Sequence, residues 1–557
     1  MKVSKIFKTT ALVLAMSATL TGCIKETFPT ETAITKDQLL KGEKRVILES
    51  LLPGIHSSML SMCYSSSLHS DYGMFAMGVM HDYEAQQIAN MGEPLYNHFN
   101  FAMWGQGYGP TQVVSALTWL RYYPQIRSCN EIISIAGDDE EYATFRGLAK
   151  TYRAYFYLDL ARLYDPLYAE APANPTYTDL LFDVQGMTVP IIDETFIGDQ
   201  GESMAKNNPR VTREEMFDFI FADLADAEVC LQDYARANAS EPNLAVVYGL
   251  YARAYMWLAG AAFESDGLNG KYPTGVEAYR LASEYAQKAI AAHGGSLMSE
   301  AEWTSVTAGF NTVVSSWMLA LICSTDTIAS NLHQNPAHLS PELKGGYFQY
   351  TLPGIPSNWY DKIRDDDFRK KLIKGPKTSY PEFASYTSMT ADEFNALPPY
   401  INFKYRPANG NRTDNMTAGA VSLPLMRLEE MYFIDMEATY HTDGATAAFE
   451  KLSSFMLYRC DNYYSVLPDN EVFEEILFNK GLEFWGEGIM MFDFKRLDRG
   501  VNSSYKDNNF DPRSRFHSEG RLPWWNYCIP QSETDMNKGI LDNNPDPSYA
   551  LEADMEL

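Results

Sequence analysis

Apolar residues recur at three- and four-residue intervals along most of the readable chain, so the pattern predicts a protein built largely of helices. Trp119, Tyr123, Ile126 and Asn130 share one helix face. A second helix is expected over about 140–163, with Tyr152, Tyr155, Phe156, Leu160 and Leu163 along one side and Asp165-Pro166 ending it. Thr212-Arg213-Glu214-Glu215 reads as a capping box, in which the Thr hydroxyl and the Glu three residues on satisfy each other's orphan amides. The stripe Met216, Ile220, Leu224, Ala227 and Leu231 follows it. The partner, about 243–262, alternates large and small residues (Tyr248, Ala252, Tyr255, Ala259), which lets two helices cross closely. Ala278 to Ala292 repeats the mode with Ala282, Ala286 and Ala289. Leu423 to Tyr440 and Ala445 to Tyr458 form a further expected pair, split by Asp443-Gly444.

Recurring hairpins with small-residue contacts resemble tetratricopeptide repeats, although no strict 34-residue period survives. Residues 300–420 read differently: they are rich in Gly, Pro, Asn, Ser and Thr, and the short apolar run Thr312 to Ile322 suits a strand. Residues 501–557 are loop-like as well. The expected fold class is mainly α, a tetratricopeptide-like scaffold over about 41–299 and 421–500 interrupted by a large irregular, loop-rich insertion over about 300–420. Insertions of that length tend to carry function.

The N-terminus changes the picture. Lys2, Lys5 and Lys8 precede the apolar run Ala11 to Leu20, which is too short to span a bilayer, and Leu20-Thr21-Gly22-Cys23 closes it. The arrangement resembles a bacterial lipoprotein signal: 1–22 as signal peptide, Cys23 as the lipidated first mature residue, and 23–40 as a polar tether. An ordinary secretory signal with an incidental cysteine is the alternative, and both place the protein outside the cytoplasm. The 557-residue chain carries a formal charge of −27, which argues against nucleic acid and anionic membrane as partners and favours neutral ligands. Seven cysteines show no C-x-x-C, so neither a zinc knuckle nor a redox motif is present, and most are expected to be buried thiols.

Several segments together resemble the SusD/RagB family of outer-membrane nutrient-binding lipoproteins. The Trp119 to Asn130 spacing, the run Arg153 to Tyr164, and the Thr212 to Leu231 and Leu250 to Ala259 stretches look like its early helices. Leu425 to Tyr432 with Glu437-Ala438, Leu482 to Gly488 with Phe492 to Arg496, and Ile529 to Glu533 with Asn537 and Asn544-Pro545 look like its later signatures. Asp165 stands where the family usually has Gly, and Asn479-Lys480 where it usually has Glu-Arg. The resemblance implies a cell-exterior, outer-membrane protein anchored by its lipid. It would capture oligosaccharide and deliver it to a SusC-like, TonB-dependent transporter as that transporter's lid, with no cofactor.

The charged signature residues suit ion pairs better than catalysis. Arg427 and Glu430 sit one turn apart, as do Glu483 and Glu487, while Asp493 and Arg496 follow closely. Carboxylates four apart on one helix point the same way, whereas glycoside cleavage needs two that flank a bond. No catalytic motif appears, no enzyme activity is expected, and His81 near Asp82 and Glu84 fits a turn or helix start better than a metal site. Gly105-Gln106-Gly107-Tyr108-Gly109 reads as a flexible loop. Sugars present flat C–H faces, so the candidate ligand-binding residues are aromatics outside the main helices: Tyr96, Trp104, Tyr108, Tyr347 and Tyr350. Core packing competes for each ring. Trp359 and Tyr360 suit a helix of the scaffold, and Trp303 and Trp317 suit the core. Covering about 80 Å² of sugar face gives about 2 kcal/mol per ring. Two or three such contacts, less the cost of ordering the ligand, imply millimolar to micromolar binding. Peptide cargo on the same architecture, or a secreted helical glycoside hydrolase, are the rival readings. The identity of the glycan is not legible.

Overall fold

The structure, a computed structural model, describes residues 44–64, 71, 73–92, 105, 107–198, 200–260, 263, 271–324, 339–344, 346, 348–465, 471–548 and 550–551. Residues 50–557 make one compact unit, and the account below concerns it. The described chain opens with helix α1 (Lys44–Leu60), followed by the almost wholly buried α2 (Gly73–Glu84) and the two-residue strand β1 (Ala89–Asn90).

The expected hairpins are present. Helices α3 (Val113–Ala136), α4 (Ala143–Tyr164) and α5 (Arg213–Cys230) pack in succession, and α6 (Leu244–Leu258) continues into α7 (Gly275–His293). The capping box at Thr212 forms: the Thr hydroxyl accepts from Glu215 N while the Glu215 carboxylate takes Thr212 N. On α7 the residues Ala278, Ala282, Ala286 and Ala289 are completely buried, and their small size lets α6 and α8 (Leu428–Asp443) close on it from two sides. The chain thus leaves the array after α7, traverses more than 130 residues, and returns to pack α8 where it left off. Helices α9 (Ala445–Met456), α10 (Val472–Glu483) and α11 (Met490–Leu497) complete the scaffold.

One expected boundary is wrong. Residues 423–427, read as the first turn of a helix, form strand β4 (Leu423–Arg427), antiparallel to β2 (Trp317–Leu321). Pro424 donates no hydrogen bond and sits comfortably in an edge pairing, and Leu428 N donates to Ser316 O at 2.8 Å as the helix begins. The suspected strand in 312–322 is therefore real, and 423–427 is its partner. Apart from β2, the regular structure described within 300–420 is limited to short helical turns, 3₁₀ turns and strand β3 (Pro353–Gly354), which pairs with β1. The six described cysteines beyond residue 23 are free thiols; Cys129, Cys460 and Cys528 are buried and three are half-buried, fewer buried than expected.

What joins insertion to scaffold is ionic. The Glu483 carboxylate, wholly buried at the end of α10, accepts from Arg459 at 2.9 and 3.0 Å, from Arg369 at 3.1 Å and from Arg427 at 3.2 Å. Arg427 also grips Glu487 through two bonds of 2.9 Å and lies 3.0 Å from Glu429. Asp367 holds Arg369 at 2.7 Å, and Lys404 reaches Glu487 at 2.6 Å. Four cations thus face four carboxylates, all buried except the half-buried Glu487, so the network carries no net charge. Rings of Trp303, Phe310 and Phe484 pack against the guanidiniums. Arg427 and Glu430 do not pair with each other; Glu430 is held by Arg253 at 2.6 and 2.7 Å.

Burial raises the Glu483 carboxyl, but Arg459, Arg427 and Arg369 outweigh it and hold it well below its ordinary 4.5. A depressed carboxylate stabilises the fold above its unfolded value and loses that contribution as pH falls toward the folded one. Glu483→Gln leaves three buried guanidiniums short of a counter-charge and should cost about 3–5 kcal/mol. Urea denaturation at neutral pH should show that loss, and the gap between wild type and variant should narrow as the pH drops below 4.5.

Candidate functional site

The sequence-predicted site residues separate under the structure. Cys23, Tyr96, Trp104 and Tyr347 lie outside the described residues, and Tyr350 falls in the short helix Phe348–Thr351. Tyr108 is fully buried and serves the core: its hydroxyl donates to Glu84 Oε1 at 2.8 Å, beside Tyr527, which donates to the same oxygen at 2.6 Å. Burial pushes the Glu84 carboxyl up to about 8 despite these two bonds. Nor is the glycine segment loose where it is described. Gly105 has φ +57°, and a Cβ there would lie 2.3 Å from Cε3 of Trp524, so the backbone is pressed against that indole. His81 closes helix α2 rather than starting one, and burial pushes it down to about 3. Among the described residues no group of His, Cys, Asp or Glu could hold a metal ion.

A different concavity has the chemistry of a binding site. An open groove of about 330 Å³ runs between the residues after α2, the turn Ser357–Tyr360, helices α10 and α11, and the segment that follows α11. Trp359, Phe478 and Phe494 supply half-buried rings, and Gln86, Asn358 and Asn502 supply amides. Trp359 meets Phe478 edge-on, with centroids 5.9 Å apart and planes at 80°. Gly481 on α10 makes room for this, since a Cβ there would approach Trp359 Cη2 to 3.1 Å and Gln87 Oε1 to 2.8 Å. Lys362 and Arg499 balance Glu471 and Glu474, and Arg499 pairs with Glu474 at the rim, so the charged lining does not call for an ionic ligand.

Gln86 is the unusual member. It takes φ +52° to end α2, with Gln86 N donating to Tyr83 O at 3.0 Å and Gln87 N to Asp82 O at 2.8 Å. This is a Schellman ending with glutamine where glycine would be unstrained. Its amide nitrogen donates to Ser514 O at 3.0 Å, while its buried Oε1 has no protein partner. A strained residue that lines a groove and buries an unsatisfied acceptor behind it is the kind of local cost that functional sites retain. Sequence reasoning missed it because nothing in Ala85-Gln86-Gln87 announces a left-handed residue. It also left Phe478 unremarked and read Phe494 only as part of the Phe492 to Arg496 signature.

The SusD family model matches residues 349–549. The fold is that of the SusD family. A SusD-like carbohydrate binding protein from Bacteroides vulgatus ATCC 8482 superposes with a TM-score of 0.65 at 20% identity, over 90% of this chain and 98% of its own. A putative sugar binding protein from the same organism gives 0.61 at 20% identity over 90% and 98%. Surface glycan-binding protein A from Bacteroides thetaiotaomicron, solved in complex with laminarihexaose, gives 0.60 at 14% identity over 92% and 99%. No curated protein sequence matches the chain. The two departures from the SusD pattern turn out to be buried polar anchors. Asp165 takes two bonds from Arg213, at 2.5 and 2.8 Å. Asn479 accepts from Arg369 at 2.8 Å, and Lys480 pairs with Asp493 at 2.6 Å.

Because position 86 is left-handed, Gln86→Gly should be more stable than Gln86→Ala by about 1 kcal/mol, the reverse of the order inside a helix. The urea midpoints of the two variants test this.

Proposed function

We propose that this protein is a cell-surface glycan-binding lipoprotein that captures neutral oligosaccharides without cleaving them. The observation that carries the reading is the groove: three rings offer apolar planes, the exposed amides of Asn358 and Asn502 take hydroxyls, and charges of both signs are present in equal number. Stacking supplies the affinity and the amides supply orientation. The fold's kinship with a structure holding laminarihexaose supports a glycan as the ligand class. Tyr96, Trp104, Tyr347 and Tyr350 are proposed as further ligand-binding residues.

No catalytic step belongs to this reading. Glu483 and Glu487, the carboxylate pair that a glycosidase would need, are committed to arginines in the buried lattice. Attachment through acylated Cys23 agrees with the absence, among the described residues, of any helix long and apolar enough to cross a membrane. Delivery to a SusC-like TonB-dependent transporter, over which the protein sits as a lid, completes the proposal. Weak binding suits that task, because the ligand has to be released to the barrel.

Isothermal titration of the soluble domain against neutral oligosaccharide and oligopeptide panels should give dissociation constants in about the millimolar to micromolar range for sugars alone. Trp359→Ala should weaken that binding about tenfold or more with little change in melting temperature. Binding confined to peptides, or release of product sugars, would refute the reading. Separately, Cys23→Ser should move the protein from the membrane fraction to the soluble one.

A further inference from the structure

Large apolar side chains exposed singly are ordinary, but one tyrosine on this surface is held in a manner that folding does not require. Tyr464 is 65% exposed, and the Arg364 guanidinium lies over its ring at 3.6 Å from the centroid. Arg364 is itself fixed: its Nε and Nη2 donate to the two oxygens of Asp366, at 2.9 and 3.0 Å, and its side chain is 9% exposed. The backbone on either side of Tyr464 is tethered too. The Tyr463 hydroxyl and the Ser465 hydroxyl both donate to Glu475, a completely buried carboxylate on α10. A ring backed by a pinned guanidinium and flanked by two anchored residues keeps one orientation, so most of the entropy of ordering it is already lost before any ligand arrives.

The position of this ring ties it to the groove. Helix α10 presents Glu474 and Phe478 to the groove and, through Glu475, holds the segment of Tyr464. Lys362 lines the groove, and Arg364 follows two residues later on the same segment. Both supports of the platform are therefore continuations of groove walls.

We infer that Tyr464, stacked on Arg364, is a second glycan subsite that binds the flat C–H face of a pyranose unit in a chain whose other units occupy the groove. The inference rests on the glycan-binding reading above and extends it to ligand length. The phenol's exposed face suits the C–H face of a neutral sugar ring, and Arg364 behind it fixes the ring's orientation. On this proposal a disaccharide fills the groove alone, since Tyr464 is not among the residues lining it, whereas a longer chain also gains from Tyr464.

Affinity electrophoresis of the soluble domain through gels carrying β-1,3-glucan, xylan, mannan, galactan or starch tests this, followed by titration with di- and hexasaccharides of whichever polymer retards the wild type. Tyr464→Ala should lose about tenfold in hexasaccharide affinity and almost nothing for the disaccharide, and Tyr464→Phe should behave as wild type. If Tyr464→Ala lowers the melting temperature, Tyr464→Leu, which keeps bulk without a flat face, must show the same length-selective loss. Retention of Tyr464→Ala equal to wild type, while Trp359→Ala is lost, overturns the platform and leaves the groove standing. A wild type retarded by no polymer overturns the glycan reading and the platform with it.

Discussion

A single buried carboxylate organises this molecule. Glu483 meets guanidiniums from three separate stretches of chain: Arg369 in the loop-rich insertion, Arg427 at the end of β4, and Arg459 beyond α9. Burying ions costs several kcal/mol each, and that cost is recovered only where every charge is matched with good geometry. Here the matching is complete, four against four, with Lys404 closing the set through Glu487 and two backbone carbonyls. Burial pushes the Lys404 ammonium down to about 8, with Glu487 opposing it. Removing any one partner would leave a buried charge unmatched, so the lattice favours the observed docking of the insertion.

The groove inherits its rigidity from that lattice. Helix α10 carries Glu483 at its end and Phe478 one and a half turns before it. Arg369, which binds both Glu483 and Asn479, lies ten residues after Trp359 on the segment forming the opposite wall. Fixing α10 to that segment therefore fixes the edge-to-face contact between Trp359 and Phe478 and keeps the rings apart from closer collapse. Gly481 and the left-handed Gln86 then shape what remains. A weak, reversible binder benefits from such a preformed surface, since little of its modest interaction energy is lost in ordering the protein.

Helix content was legible because periodicity is local. The α3, α4, α5 and α7 stripes, the Thr212 box and the alanine face of α7 each appear where the spacing of residues placed them. Leu423–Arg427 misled for the same reason: four apolar residues and an arginine beside a helix read as its first turn until the partner strand Trp317–Leu321 claims their backbone. The candidate aromatics were chosen by crowding and by distance from helices, and crowding does not report exposure. Tyr108 shows this, since its ring and hydroxyl are absorbed by Glu84 and Tyr527, residues far away in sequence.

The chain alone determined its mainly helical class, its charge, its lack of catalytic spacing and its likeness to SusD-family proteins, because those follow from composition, short-range period and local motifs. Tertiary structure decided which rings face solvent, which carboxylates are neutralised, and where a cavity opens. Trp359, Phe478, Gln86 and Asn502 become neighbours only when four separated stretches are packed together, and Tyr464 becomes a rigid plane only when Arg364 and Glu475 arrive from elsewhere. Exposure and pairing are properties of contacts between distant residues, and no local pattern encodes them.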